Sequence, residues 1–188
     1  MNFTAPEARA FGIRASVPFF KLMNMRQVTI AAVNGFALGG GCEIAWHVTS
    51  VLHLTMQSSV SRNVDLESFR IRRHTETCPF SWYGTCQRMI FTCDNIDAAE
   101  AYRIGLVNKV VAKEELMETA KTMAAKIISK GSYAVSVAKA AINNGYDMDI
   151  KNAVEMEANL FGVVNDTHDK KEGMGAFLEK RKADLTDF

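Results

Sequence analysis

The chain predicts an α/β fold, and three observations carry that prediction. A short apolar, β-branched run, Val28-Thr29-Ile30-Ala31-Ala32-Val33, ends at Asn34-Gly35 and continues through Gly39-Gly40-Gly41 into Cys42-Glu43-Ile44-Ala45, which reads as the opening turn of a helix. A second run, Leu106-Val107-Asn108-Lys109-Val110-Val111, follows a short segment with helix-start and helix-stop signals. After Lys113 the apolar residues recur at three-to-four spacing over several long stretches.

Taken in order, Glu7 to Arg26 reads as a helix, with Phe11, Ala15, Phe19, Leu22 and Met23 on one stripe and Pro18 as a disturbance inside it. The strand at 28–33 and its glycine turn come next. From Trp46 to about Arg88 the periodicity fades, and the sequence supports no element there. Order returns at Met89. Asp97-Ala98-Ala99-Glu100 is a capping-box pattern for a helix to Ile104, with Gly105 as its stop, and 106–111 reads as a strand. Helices then follow over Lys113–Ser129, Tyr133–Asn143 (stopped by Asn144-Gly145) and Asp149–Val164, with a last stretch over Lys170–Lys182.

The bulk numbers exclude several classes. The 188 residues are enough for one core, and 22 Lys plus Arg against 21 Asp plus Glu argue against a polyanionic partner held by net charge. Hydrophobic content of 48% with mean hydropathy near zero fits a globular chain. No apolar run approaches the roughly 18–20 residues that cross a bilayer. The first residues show no secretory pattern, so a cytoplasmic protein is expected. The cysteines Cys42, Cys78, Cys86 and Cys93 form no disulfide framework. His74, Cys78 and Cys86 invite a metal reading, but no paired Cys-x2-Cys spacing supports one, and no metal is expected. Arg70, Arg72 and Arg73 are isolated in a neutral chain, so nucleic acid is not expected either.

The stretch Ala31-Ala32-Val33-Asn34-Gly35-Phe36-Ala37-Leu38-Gly39-Gly40-Gly41-Cys42-Glu43 carries the chemistry. Glycines between strand and helix let a ligand approach the main chain, and amides at a helix N-terminus favour negative charge. A carbonyl oxygen becoming an enolate could be held there, with Glu43 near enough to move a proton. The same residues also fit a plain strand-to-helix turn whose glutamate complements the helix dipole.

This string resembles the signature of enoyl-CoA hydratases in the crotonase superfamily. So do Ile90 to Val111 and the ending Lys171-Glu172-Gly173-Met174-Gly175-Ala176-Phe177-Leu178-Glu179-Lys180-Arg181-Lys182, in family order. The resemblance implies a crotonase core of repeated strand-strand-helix turns over 1–111, followed by a helical assembly region over 112–188. It implies a Gly40 amide in the oxyanion hole and Glu43 as one of two glutamates gripping the attacking water. It implies an acyl-CoA thioester substrate, no cofactor, and trimers or hexamers. Lys180 is expected to approach the CoA phosphates, although such basic tails are also often merely solvated. Rival readings are an enoyl-CoA isomerase of the same superfamily and a non-catalytic assembly protein using only the C-terminal helices.

Two departures stand out. The resemblance implies N-terminal strands and a loop with a second oxyanion amide ahead of Met1, so the chain reads as part of a longer enzyme. It also implies a second glutamate in a Gly-Gln-Pro-Glu context, where this chain has Ser61-Arg62-Asn63. An out-of-frame origin for residues 46–88 accounts for this. Codons GCA TGG CAT GTG ACA TCA for Ala45 to Ser50 become Ala-Met-Ala-Cys-Asp-Ile when one A is restored after GCA. Continued, that frame yields the missing Gly-Gln-Pro-Glu; a second lost base near Arg70-Ile71 gives Pro-Gly-Phe-Gly-Gly-Thr-Gln-Arg, a third before Met89 returns the frame to normal, and the single-codon residues Trp46, Met56 and Trp82 all fit. The chain as written is therefore expected to have impaired activity.

Overall fold

The structure, a computed structural model, describes residues 3–48, 50–54, 59–60 and 83–186. It divides into two compact units. The first holds residues 1–23 and 29–120, the second 24–28 and 121–188.

The first unit opens with α1 (Ala5–Asn24). Thr4 starts it, its amide and hydroxyl both donating to the Glu7 carboxylate. Pro18 lies inside this helix without ending it, and the next residue, Phe19, is buried. Of the expected stripe, Phe11 is instead exposed. Two strand-strand turns follow: β1 (Ile30–Val33) and β2 (Ala37–Leu38) lead into α2 (Gly40–Trp46), and β3 (Ser50–Leu54) and β4 (Ser59–Val60) come next. Each strand of the second turn pairs in parallel with its counterpart in the first, Ile30 with Ser50 and Ala37 with Ser59. That is the repeated winding the resemblance implies. β3 is central in a three-stranded parallel sheet, between β1 and β5 (Lys109–Val111). It falls in the stretch where local pattern supported no element, because parallel pairing on both edges, a long-range effect, defines it.

α3 (Tyr83–Thr92) and α4 (Ala98–Arg103) complete this unit's core. The Asp97 carboxylate caps α4 by accepting from the Glu100 amide at 2.8 Å, a cap of the kind that contributes about 1 kcal/mol. At the other end Gly105 is left-handed (φ 76°); its amide donates to the Tyr102 carbonyl, and the Leu106 amide to the Ala101 carbonyl. This motif corrects the expected strand at 106–111. Leu106 and Val107 belong to the helix stop and point their side chains into the core with Ala45, Met89, Ile96, Ala101 and Ile104. Pairing begins only at Lys109.

A single turn of 3-10 helix in the first unit (Lys113–Glu115) leads into α5 (Leu116–Ile128), along which the chain passes into the second unit. α6 (Ser132–Gly145), α7 (Ile150–Asn165) and α8 (His168–Leu178) follow. α6 continues through Asn144-Gly145, beyond its expected stop. The α6–α7 approach is close: a methyl at Gly145 would lie 3.6 Å from Met156 Cε and 3.8 Å from Ala153 Cβ. α8 starts earlier than expected because the Thr167 hydroxyl caps it, accepting from the Lys170 amide, and it ends at Leu178 rather than Lys182. Lys139 is buried, and its ammonium donates to the Gln27 carbonyl at 2.7 Å. Desolvation holds its pKa below the usual lysine range. No helix among the described residues is long and apolar enough to cross a membrane.

Candidate active site

The glycine-rich turn does what its composition requires. Gly39 sits at φ 51°, ψ −124°, a backbone region that side-chain-bearing residues avoid, and α2 begins directly after it at Gly40. The first helical bond is donated by the Glu43 amide to the Gly39 carbonyl, at 3.0 Å. The amides of Gly40, Gly41 and Cys42 thus stand ahead of the helical ladder, at its positive end. Glu43 lies one turn on from Gly40, on the same helix face, and side chains in a helix lean towards its N-terminus. Its side chain is only 3% exposed, while its neighbour Ile44 is 47% exposed. A carboxylate held out of water one turn from an exposed helix N-terminus can hold or move a proton beside an anion bound at those amides.

Two neighbours shape this carboxylate's surroundings. His47 is buried, and its Nδ1 lies 2.6 Å from the Glu43 carbonyl oxygen; because a carbonyl only accepts, Nδ1 carries the proton. The imidazole packs against Phe19 with ring centroids 4.9 Å apart, fixing the end of α2 to α1. Sequence reasoning missed His47, although a histidine four residues after the key glutamate is a readable helix-end signal. Cys42 is the other neighbour. Burial first, and the Glu43 charge second, push its thiol up to about 12. A neutral thiol is a poor nucleophile, so Cys42 does not compete for an electrophilic ligand.

Lys180, the third expected site residue, lies in the second unit. It is exposed, directly after α8, at φ 55°. Ser61, Arg62 and Asn63 lie outside the described residues, as do Arg70, Arg72, Arg73, His74 and Cys78; Cys86 lies within α3.

Comparison with known proteins identifies the family and the fold. Residues 83–187 match the enoyl-CoA hydratase/isomerase family. The chain is 44% identical over 185 residues to a crotonyl-CoA hydratase of Syntrophomonas wolfei, covering 98% of this chain and 71% of that protein. It is 43% identical over 180 residues to a short-chain-enoyl-CoA hydratase of Clostridium acetobutylicum, covering 94% and 68%. The solved structure of an enoyl-CoA hydratase from Bacillus anthracis superposes with a TM-score of 0.90 at 31% identity, over 98% of this chain and 72% of that one. The chain belongs to the enoyl-CoA hydratase/isomerase family, and its fold is the crotonase fold.

Proposed function

We propose that the chain is a short-chain enoyl-CoA hydratase, a hydro-lyase that reversibly adds water to a crotonyl-CoA-like 2-enoyl-CoA in fatty-acid or butanoate-type metabolism. The observation that carries this is the α2 N-terminus, where the Gly40 amide and the buried Glu43 carboxylate share one helical turn. In this reading the Gly40 amide donates to the thioester oxygen, which gains charge as the C3–O bond forms and the C2–C3 π bond becomes an enolate. Glu43 orients the attacking water, takes or returns its proton, and C2 receives a proton to complete the addition. The hydratase names of the relatives favour this over isomerisation.

The residues at Ser61-Arg62-Asn63 provide no second carboxylate, so we assign the chain as written a low turnover. The second unit favours assembly into homo-trimers or hexamers, because Ile142, Ile150, Phe161, Phe177 and Leu178 all stand more than 70% exposed. Monomers rarely leave so many large apolar side chains in water. A cytoplasmic location fits these properties.

The test is hydration of crotonyl-CoA, followed by loss of the conjugated enoyl-thioester absorbance. Replacing 46–88 with its frame-restored translation is expected to raise turnover by about 10²-fold or more, the ordinary contribution of a placed acid or base. In that restored chain, Glu43→Gln is expected to lower turnover by about 10²–10⁴-fold. Full turnover in the restored Glu43→Gln chain would remove Glu43 from the mechanism. Turnover that restoration does not raise would remove the frame account.

A further inference from the structure

The helix α1 carries a second apolar stripe that the core does not use. Phe19 is buried and packs on His47 of α2, and Ala15, Ser16, Leu22 and Met23 on the same side of the helix are half-buried. Along the other side, Pro6, Ala10, Ile13, Val17 and Phe20 recur at alternating four- and three-residue spacing, and every one of them is exposed. That spacing draws a straight seam along a helix. Ile13, Val17 and Phe20 are each more than 40% exposed. From Pro6 to Phe20 the seam runs about 21 Å at the usual rise per residue. Just ahead of the helix, Phe3 packs against Phe11 with ring centroids 5.4 Å apart, and both rings are exposed.

Both edges of this seam are basic. Arg9 lies four residues before Ile13, on one flank; Arg14 and Lys21 lie three before and four after Val17, on the other. All three cations are exposed, and none forms an ion pair with a described residue. The one carboxylate of α1, Glu7, is held at the helix start by the Thr4 amide and hydroxyl. An apolar seam with cations along both edges selects among occupants. A second α1 laid on the first would bring rows of like charge together, which opposes pairing. An anionic lipid surface satisfies both features at once. Apolar side chains enter the acyl boundary, while arginine and lysine stems run alongside them and leave their charges among the headgroup phosphates. Being flat, such a surface reaches both flanks of one exposed helix face together.

We propose that the outer face of α1 is a peripheral docking surface for anionic phospholipid, with Ile13, Val17 and Phe20 entering the interface and Arg9, Arg14 and Lys21 against the phosphates. The helix lies in the plane of the surface and does not cross it; among the described residues no helix is long and apolar enough to do so. Phe19 stays in the core on the opposite side, so docking requires no unfolding. Neither Gly40 nor Glu43 takes part, and the surface is independent of the hydratase chemistry.

The experiment sediments the full chain with vesicles of phosphatidylcholine alone or of phosphatidylcholine mixed with phosphatidylglycerol. The chain is expected to bind the mixed vesicles but not the neutral ones, and to come off as salt rises. Ile13→Ser combined with Val17→Ser is expected to weaken binding by about tenfold, from the apolar area no longer buried. Arg9→Gln, Arg14→Gln and Lys21→Gln together are expected to weaken it by about 10²-fold, roughly fivefold for each cation. A control on α5, Lys121→Gln with Lys126→Gln and Lys130→Gln, removes the same charge from exposed positions and is expected to leave binding nearly unchanged. Thermal melting followed by circular dichroism checks that each variant folds; should the serine variant not fold, the α1 glutamine variant against its α5 control carries the test. Equal binding to both kinds of vesicle, or binding to neither, overturns the proposal. Equal losses from the α1 and α5 cations overturn it too, because net charge alone would then act. Binding that survives the serine substitutions intact removes the apolar seam from the contact. If those substitutions instead lower the oligomeric mass in sedimentation velocity, and vesicles do not bind, the seam belongs to a second copy of the chain and the lipid surface is wrong.

Discussion

Two of the helix ends that hold a positive-φ residue are built in opposite ways. At the start of α2 the residue is Gly39, which has no side chain to strain, and the working parts are main-chain amides beside a buried carboxylate. At the end of α8 the residue is Lys180, which pays for its conformation with backbone strain, and the working parts are exposed side chains held by ion pairs. The first end depends on what is absent from its sequence, the second on what is present. Substitution should therefore act with opposite sign at the two places.

The largest effect is expected at Gly39. Gly39→Ala forces a Cβ into a region close to glycine-only and should cost about 1–3 kcal/mol, seen as a fall in melting temperature and, in the frame-restored chain, as lost turnover. A melting point equal to that of the parent would show that the turn relaxes freely. Lys180→Gly should do the reverse, relieving about 1 kcal/mol of left-handed strain and raising the melting temperature. Should the melting temperature fall instead, Lys180 stabilises its own turn and the contrast fails. The smallest effect is local and acid-driven. The Arg181 guanidinium, then the Asp184 amide, hold the Glu172 carboxyl well below the usual range, at about 2. A depressed carboxyl pKa gives a contribution that is complete above the unfolded value, near 4.5, and is lost as pH falls towards about 2. Hydrogen exchange at the Asp184 amide should remain protected at pH 5 and open across that acid window, and protection lost already above pH 5 would mean the carboxylate is not the anchor.

Legibility in the sequence followed the range of the forces involved. Local signals read well: the Asp97 cap and the Gly105 stop are each settled within a few residues, and the structure has both. The Gly39 to Glu43 turn was readable for the same reason. β3 was not, because its strand character comes from β1 and β5, far away in sequence. Leu106 and Val107 misled because a β-branched apolar pair after a glycine fits a strand and a helix stop equally well, and only packing decides between them. The Thr167 cap was overlooked in favour of the lysines after it. The ion pairs of Arg181 with Glu172 and Glu179 were hidden because the two carboxylates stand nine and two residues away from it in the chain.

The Lys139 bond to the Gln27 carbonyl bears on how the molecule is made. These partners are 112 residues apart, so the peptide at 24–28 leaves the ribosome long before the helix that receives it exists. Until then α1 and β1 are joined by a tether without its dock. A nascent chain stalled before α6 should leave that tether open to protease, and synthesis of α6 should close it.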